Sequence, residues 1–118
     1  FNGSSNIAQH GAIAALSDIG LSEIKEKVNY YMENAKIIKD GLEELGIKTF
    51  GGINSPYIWA AFPAKKSWDV FEDILTKAHV VTTPGAGFGK AGEGFIRFSA
   101  FGKTSEIKEA VKRLQKNL

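Results

Sequence analysis

Arg97 stands in Gly94-Phe95-Ile96-Arg97-Phe98-Ser99-Ala100-Phe101, an apolar run that follows a glycine-rich loop. It is one of two arginines among 118 residues, and the other, Arg113, lies in an ordinary charged helical stretch. A guanidinium keeps its charge at any working pH and offers a planar fork that meets a carboxylate through two parallel hydrogen bonds. Burying it without such a partner is costly. Strand alternation places Ile96, Phe98 and Ala100 on one face and Phe95, Arg97, Ser99 and Phe101 on the other. The first set suits a core, so Arg97 points away from it. Two chemistries fit: an ion pair with a surface carboxylate, worth little, or a fixed receptor for a small carboxylate ligand.

The loop before that strand contains Gly87-Phe88-Gly89-Lys90-Ala91-Gly92, which satisfies G-x-G-x-x-G. A dinucleotide fingerprint needs a helix after it, whose N-terminus faces the pyrophosphate. Here a strand follows. The Walker pattern fails as well, because Pro84 occupies the place of its first glycine and Ala91 that of Ser or Thr. Both phosphate readings fall, and the glycines are expected to permit positive φ and a tight approach to a neighbouring body. His10 and His79 are far apart and lack metal-ligand spacing, so they read as structural or surface residues. No lysine sits in an apolar setting that would mark a Schiff base. Tyr57, Trp59, Phe62, Trp68 and Phe71 read as core or domain-interface residues. Asn2 and Asn6 have the positions of loop and capping residues.

The composition, with 43% hydrophobic and 24% charged residues and a net charge of +2, is that of one small globular domain. The charges are mixed, unlike the one-sided basic footprint of a nucleic-acid binder. No apolar stretch approaches the roughly 20 residues that span a bilayer. With no cysteine the chain has neither disulfides nor thiolate metal sites, a composition that fits the cytoplasm. The opening Phe1-Asn2-Gly3-Ser4-Ser5-Asn6 has neither an initiator methionine nor a signal peptide, and reads as the middle of a longer protein.

The elements that must position Arg97 follow from periodicity. Residues 5–16 suggest a helix rich in small side chains, broken by Ser17-Asp18-Ile19-Gly20. Ser22 is a fair N-cap for a long helix ending before Gly46, with a stripe of Ile24, Val28, Tyr31, Ala35, Ile38, Leu42 and Leu45. Such a helix, about 33 Å long at 1.5 Å per residue, can connect two bodies. Short strands are expected at 48–50 and 57–62, the second stopped by Pro63. A helix capped by Ser67 follows, with Val70, Phe71, Ile74 and Leu75 apolar. Val80-Val81-Thr82 reads as a strand closed by Pro84, then comes the strand at 95–101. A last helix from Thr104 or Ser105 carries Ile107, Ala110, Val111, Leu114 and Leu118 on one side. The fold class is α+β: a small, mostly antiparallel sheet with helices packed on one face. These residues alone leave open a free-standing small-ligand-binding module.

Four stretches together resemble a known family: Phe1-Asn2-Gly3-Ser4-Ser5-Asn6, Asn54-Ser55-Pro56-Tyr57-Ile58-Trp59, Thr82-Thr83-Pro84-Gly85-Ala86-Gly87-Phe88-Gly89 and Gly92-Glu93-Gly94-Phe95-Ile96-Arg97-Phe98-Ser99. They are similar to the C-terminal part of fold-type-I, pyridoxal-phosphate-dependent aminotransferases, over essentially the whole chain. The Phe1-Asn2-Gly3 stretch and Ser67-Trp68-Asp69-Val70-Phe71 resemble the branch that acts on LL-diaminopimelate, in lysine biosynthesis. Aspartate and aromatic aminotransferases share the other motifs.

The resemblance implies that Arg97 binds the α-carboxylate of the amino-acid and 2-oxo-acid substrates. It implies that Asn2 acts across a homodimer interface at the substrate and cofactor site, with Ser5 and Asn6 as weaker candidates. It also implies a division into 1–20 as the end of a large cofactor-binding domain, 21–46 as a connecting helix and 47–118 as a small domain. Pyridoxal 5'-phosphate is then held mainly by residues upstream of Phe1, where the catalytic lysine is expected too. The fragment alone is expected to be inactive, with no catalytic residue of its own. No metal, nucleic acid or membrane is implied.

Overall fold

The structure, a computed structural model, describes residues 2–118, so Phe1 lies outside the described residues. The chain forms two compact units, one ending at Tyr30 and one spanning Tyr31–Leu118.

In the first unit, helix α1 spans Asn6–Ala15 and none of its residues is buried. Ser5 caps it, its Oγ accepting from the Ala8 N–H at 3.3 Å. Helix α2 spans Asp18–Glu44, so it starts four residues before the expected Ser22. Ser17 is the reason. Its Oγ accepts from the Gly20 N–H at 3.1 Å and donates to the Ala14 carbonyl at 2.7 Å, closing one helix and opening the next. Asp18 adds a negative charge to the first turn. Gly20 is a packing residue here and not a breaker: a Cβ on it would lie 2.2 Å from the Ala14 carbonyl oxygen.

In the second unit, α2 brings Ala35, Ile38 and Leu42 into the core, as the stripe predicts. The earlier stripe positions Ile24 and Val28 stay 45% and 50% exposed. Four strands follow in the order β1-β2-β4-β3, all antiparallel: β1 (Thr49–Gly51), β2 (Tyr57–Ala61), β3 (Thr83–Pro84) and β4 (Phe95–Ser99). Helix α3 (Ser67–Asp73) runs on into a wider π turn (Ile74–Ala78), and α4 spans Thr104–Asn117. Alternation along β2 and β4 buries Ile58, Ala60, Ile96 and Phe98 against Val70 and Ile74 of the α3 segment and Ile107, Val111 and Leu114 of α4. The architecture is thus the expected α+β layer.

Two local expectations fail. Val80-Val81-Thr82 is not a strand; pairing is confined to Thr83 with Arg97 and Pro84 with Ile96. The π turn ends on His79 with φ of 54°, and the redirected chain leaves Val81 78% exposed. Ser67 is not the cap of α3 but its first residue, fully buried, with Lys66 before it.

Candidate functional site

Arg97 is the middle residue of β4, between Trp59 on β2 and Thr83 on β3. It faces away from the helices, as its alternation requires. Its guanidinium carbon lies 4.6 Å from the ring centroid of Tyr57 and 4.6 Å from that of Phe88. Tyr57 is supplied by β2, two residues from Trp59 and on the same face. Phe88 ends the 3₁₀ turn Gly85–Phe88, and its ring meets Trp59 edge to face at 5.2 Å. Two aromatic faces around a cation stabilise it and limit its rotation.

The clamp leaves hydrogen-bonding capacity unused. Arg97 Nε is buried and has no hydrogen-bond partner. Every ion pair among the described residues joins other groups, so Arg97 has no carboxylate of its own here. Among the described residues no carboxylate makes the surface ion pair, one of the two readings open to a strand arginine. Arg97 is thus half-buried and held between two rings.

Thr82 Oγ1 is the second buried polar atom without a partner among the described residues. An open groove of about 650 Å³ beside α4 is lined by Ile107, Val111 and Leu114 of that helix and includes Thr82, Arg97 and Ser99 among its other lining residues. In the sequence Thr82 belongs to an expected strand and a loop motif, with no site role of its own. Its one visible signal was a hydroxyl inside a β-branched run. An apolar pocket of about 400 Å³ lies among Phe50, Trp59, Phe88 and Phe95.

The glycine-rich loop behaves partly as expected. Gly89 and Gly94 take φ of 108° and 78°. The tight approach is of the loop on itself: a Cβ on Gly85 would lie 2.0 Å from the Gly92 carbonyl oxygen. Of the aromatic residues assigned to core or interface, Phe62 and Phe71 pack against the core, whereas Trp68 is 59% exposed and touches Phe71 edge to face. Asn34 is a polar residue that the sequence reading missed. It is fully buried on α2, donates to the Ala100 and Gly102 carbonyls at 3.2 and 2.9 Å, and accepts from Thr104 Oγ1 at 2.8 Å. It ties the end of β4 to two helices. Its position, three residues after Tyr31 and four before Ile38, was the available signal.

Asn2 belongs to the first unit. It is exposed, precedes the Ser5 cap, and its amide has no hydrogen bond to the described residues. Ser5 is occupied as a helix cap and Asn6 is the first residue of α1. Among the described residues no three His, Cys, Asp or Glu side chains gather as metal ligands, and no helix is long and apolar enough to cross a membrane.

The family model for aminotransferase class I and II matches residues 1–114. The chain belongs to the class I and II aminotransferases. Among curated relatives of this aminotransferase chain, a probable LL-diaminopimelate aminotransferase, chloroplastic, from Oryza sativa subsp. japonica is 54% identical over 115 residues. Those residues cover 98% of this chain and 25% of that protein. Among solved structures, L,L-diaminopimelate aminotransferase from Chlamydomonas reinhardtii superposes with a TM-score of 0.94 at 51% identity, covering 98% of this chain and 29% of that one. An aromatic aminotransferase from Pyrococcus horikoshii OT3 gives a TM-score of 0.83 at 28% identity, over 89% of this chain and 28% of that one. The aminotransferase chain thus spans about a quarter of the length of the relatives it matches.

Proposed function

We propose that these 118 residues are the carboxylate-binding part of a pyridoxal-phosphate-dependent aminotransferase that moves an amino group between LL-diaminopimelate and 2-oxoglutarate. The observation that carries the reading is Arg97: clamped between Tyr57 and Phe88, buried at Nε, and without a carboxylate partner. Identity of 51–54% to diaminopimelate enzymes, against 28% to an aromatic one, favours the first substrate over the second. The remaining machinery of the site belongs to the other three-quarters of such an enzyme. In this reading, residues 1–20 finish the large domain, 21–46 connect, and 47–118 form the small domain.

Amino-acid and 2-oxo-acid substrates share an α-carboxylate, so one arginine serves both halves of the exchange. Arg97 would hold that carboxylate through both arms of its fork, with the aromatic clamp fixing the direction of approach. Fixing the carboxylate fixes the rotation about Cα, and so the direction in which the Cα–H bond points. The residues present suit this share of the site: the unpartnered Nε of Arg97 calls for an acceptor, and the exposed amide of Asn2 is available to a ligand. Pyridoxal 5'-phosphate, when bound, would supply the electron sink for bond breaking at Cα. Asn2 would reach substrate and cofactor from the partner subunit of a homodimer.

The test is Arg97→Lys in the full-length enzyme. Lys keeps the charge and loses the fork, and charge-assisted hydrogen bonds are worth about 1.5–3 kcal/mol each. KM for both the amino and the oxo acid should rise about 10- to 100-fold. Unchanged kinetics would make Arg97 a structural residue. Profiling LL-diaminopimelate against aspartate and phenylalanine tests the substrate; preference for either of the latter would move the enzyme to another branch of the family.

A further inference from the structure

We propose that Glu93 is a positioning residue for Arg97, anchoring both the strand that carries the guanidinium and the turn that carries one of its two aromatic covers. The inference rests on Arg97 being the substrate-carboxylate receptor, as proposed above.

The geometry begins with one oxygen. Glu93 Oε1 accepts from the Ser67 backbone N–H at 2.6 Å, from Ser67 Oγ at 3.0 Å and from the Gly94 N–H at 3.2 Å. Ser67 Oγ in turn accepts from the same Gly94 N–H at 3.0 Å. The Gly92 carbonyl lies 3.3 Å from that hydroxyl, but a hydroxyl has one proton, and the shorter bond to a charged acceptor takes it. Glu93 therefore satisfies the first N–H of α3, which no side chain of its own helix caps. A residue 26 positions later in the chain does that work.

Two segments are fixed by this. Toward β4, Gly94 has φ of 78° and its carbonyl accepts from the Phe62 N–H at 2.7 Å, a bond that extends the β2–β4 ladder. Arg97 follows three residues later, opposite Trp59. Toward the loop, the Gly92 backbone is packed directly on Gly85, the first residue of the turn that ends in Phe88. Moving the 92–94 backbone would therefore displace the guanidinium and the Phe88 ring together. The residue is exposed, and it touches neither ring nor guanidinium. Its effect on a substrate passes through Arg97.

The experiment compares Glu93→Gln with the parent in the full-length holoenzyme. Glutamine keeps the shape and removes the charge that holds three donors. KM for both the amino and the oxo acid should rise about 3- to 10-fold, the worth of roughly one net hydrogen bond, with kcat within about twofold. Titration of the cofactor absorbance should show weaker binding of the amino-acid substrate and unchanged binding of 1,5-diaminopentane, the same carbon chain without either carboxylate, which lacks the group Arg97 holds. Ser67→Ala, which removes one donor and keeps the backbone N–H, should act in the same direction by less, and serves if the first variant does not fold. A lower Tm with both binding constants unchanged would make Glu93 a helix cap only and overturn the proposal. If Arg97→Lys then still raises KM, the reading of Arg97 survives. If it does not, both readings fall.

Discussion

A carboxylate that takes hydrogen bonds from N–H and O–H donors is held in its charged form, and Glu93 is one. The Ser67 backbone N–H, then its hydroxyl, and the Gly94 N–H hold the Glu93 carboxyl below the usual carboxylate range, with nearby Lys66 adding to the effect. A folded value below the unfolded one means a contribution to stability that is present above the ordinary glutamate value of about 4.5 and lost as the pH falls through the lowered one. Stability should therefore decline in the acid range, and Glu93→Gln should flatten that decline. Asp73, lowered by its contact with Lys77 at 2.7 Å, keeps a residual slope in the variant. Denaturant midpoints from neutral into acid pH measure it; identical slopes in the two proteins would refute the linkage. The direction of Arg97 was legible in the sequence because alternation is a local property. Its clamp was not. Tyr57 reaches it across the β2–β4 register and Phe88 from a turn, and no local pattern encodes either contact.

At the scale of elements, α4 lies against α2 at a point where only glycine fits. A Cβ on Gly41 would lie 2.3 Å from Cγ1 of Val111. Replacing a helix-interior glycine by alanine ordinarily stabilises by up to about 1 kcal/mol. Here the overlap is with a short β-branched side chain inside the core, which has no long arm to swing aside. Overpacking wins, and Gly41→Ala should destabilise by about 1–3 kcal/mol. Adding Val111→Ala should recover part of that loss, so the pair should be less damaging than the sum of its members in urea unfolding. Strict additivity would mean that the helices do not meet at this point. The elements that sequence reading placed well, β2, β4 and α4, have strong periodicity and one buried face. Those it misplaced lack one or the other. Val80-Val81-Thr82 has β propensity, but His79 turns the chain out and leaves a two-residue edge strand. The start of α2 was shifted because Gly20 resembles a terminator, whereas the Ser17 cap and the close Ala14 contact make it part of the helix.

Over the whole chain, the two units differ in how much of their structure their own contacts explain. The second has a core of fully buried side chains drawn from three helices and two strands. The first has α1, with Ile7 and Ile13 exposed by 87% and 69%, and then Leu16 and Ile19 exposed by 70% and 75%. An isolated helix of 10 residues is marginal in water, since nucleation costs more than so few hydrogen bonds return. Its N-cap at Ser5 adds about 1 kcal/mol. That does not replace burial of four large aliphatic side chains, each worth about 1.5–3 kcal/mol when fully covered. Hydrogen exchange on the 118-residue chain should therefore show α1 amides exchanging early and the amides of β4 and of the Tyr31–Glu44 half of α2 exchanging last. In the longer aminotransferase proposed above, α1 closes the large domain, its apolar face is covered, and the same amides should become slow. Protection of α1 in the 118-residue chain equal to that of β4 would show that these helices are stable by themselves. Fast exchange in both proteins would remove α1 from the large domain altogether.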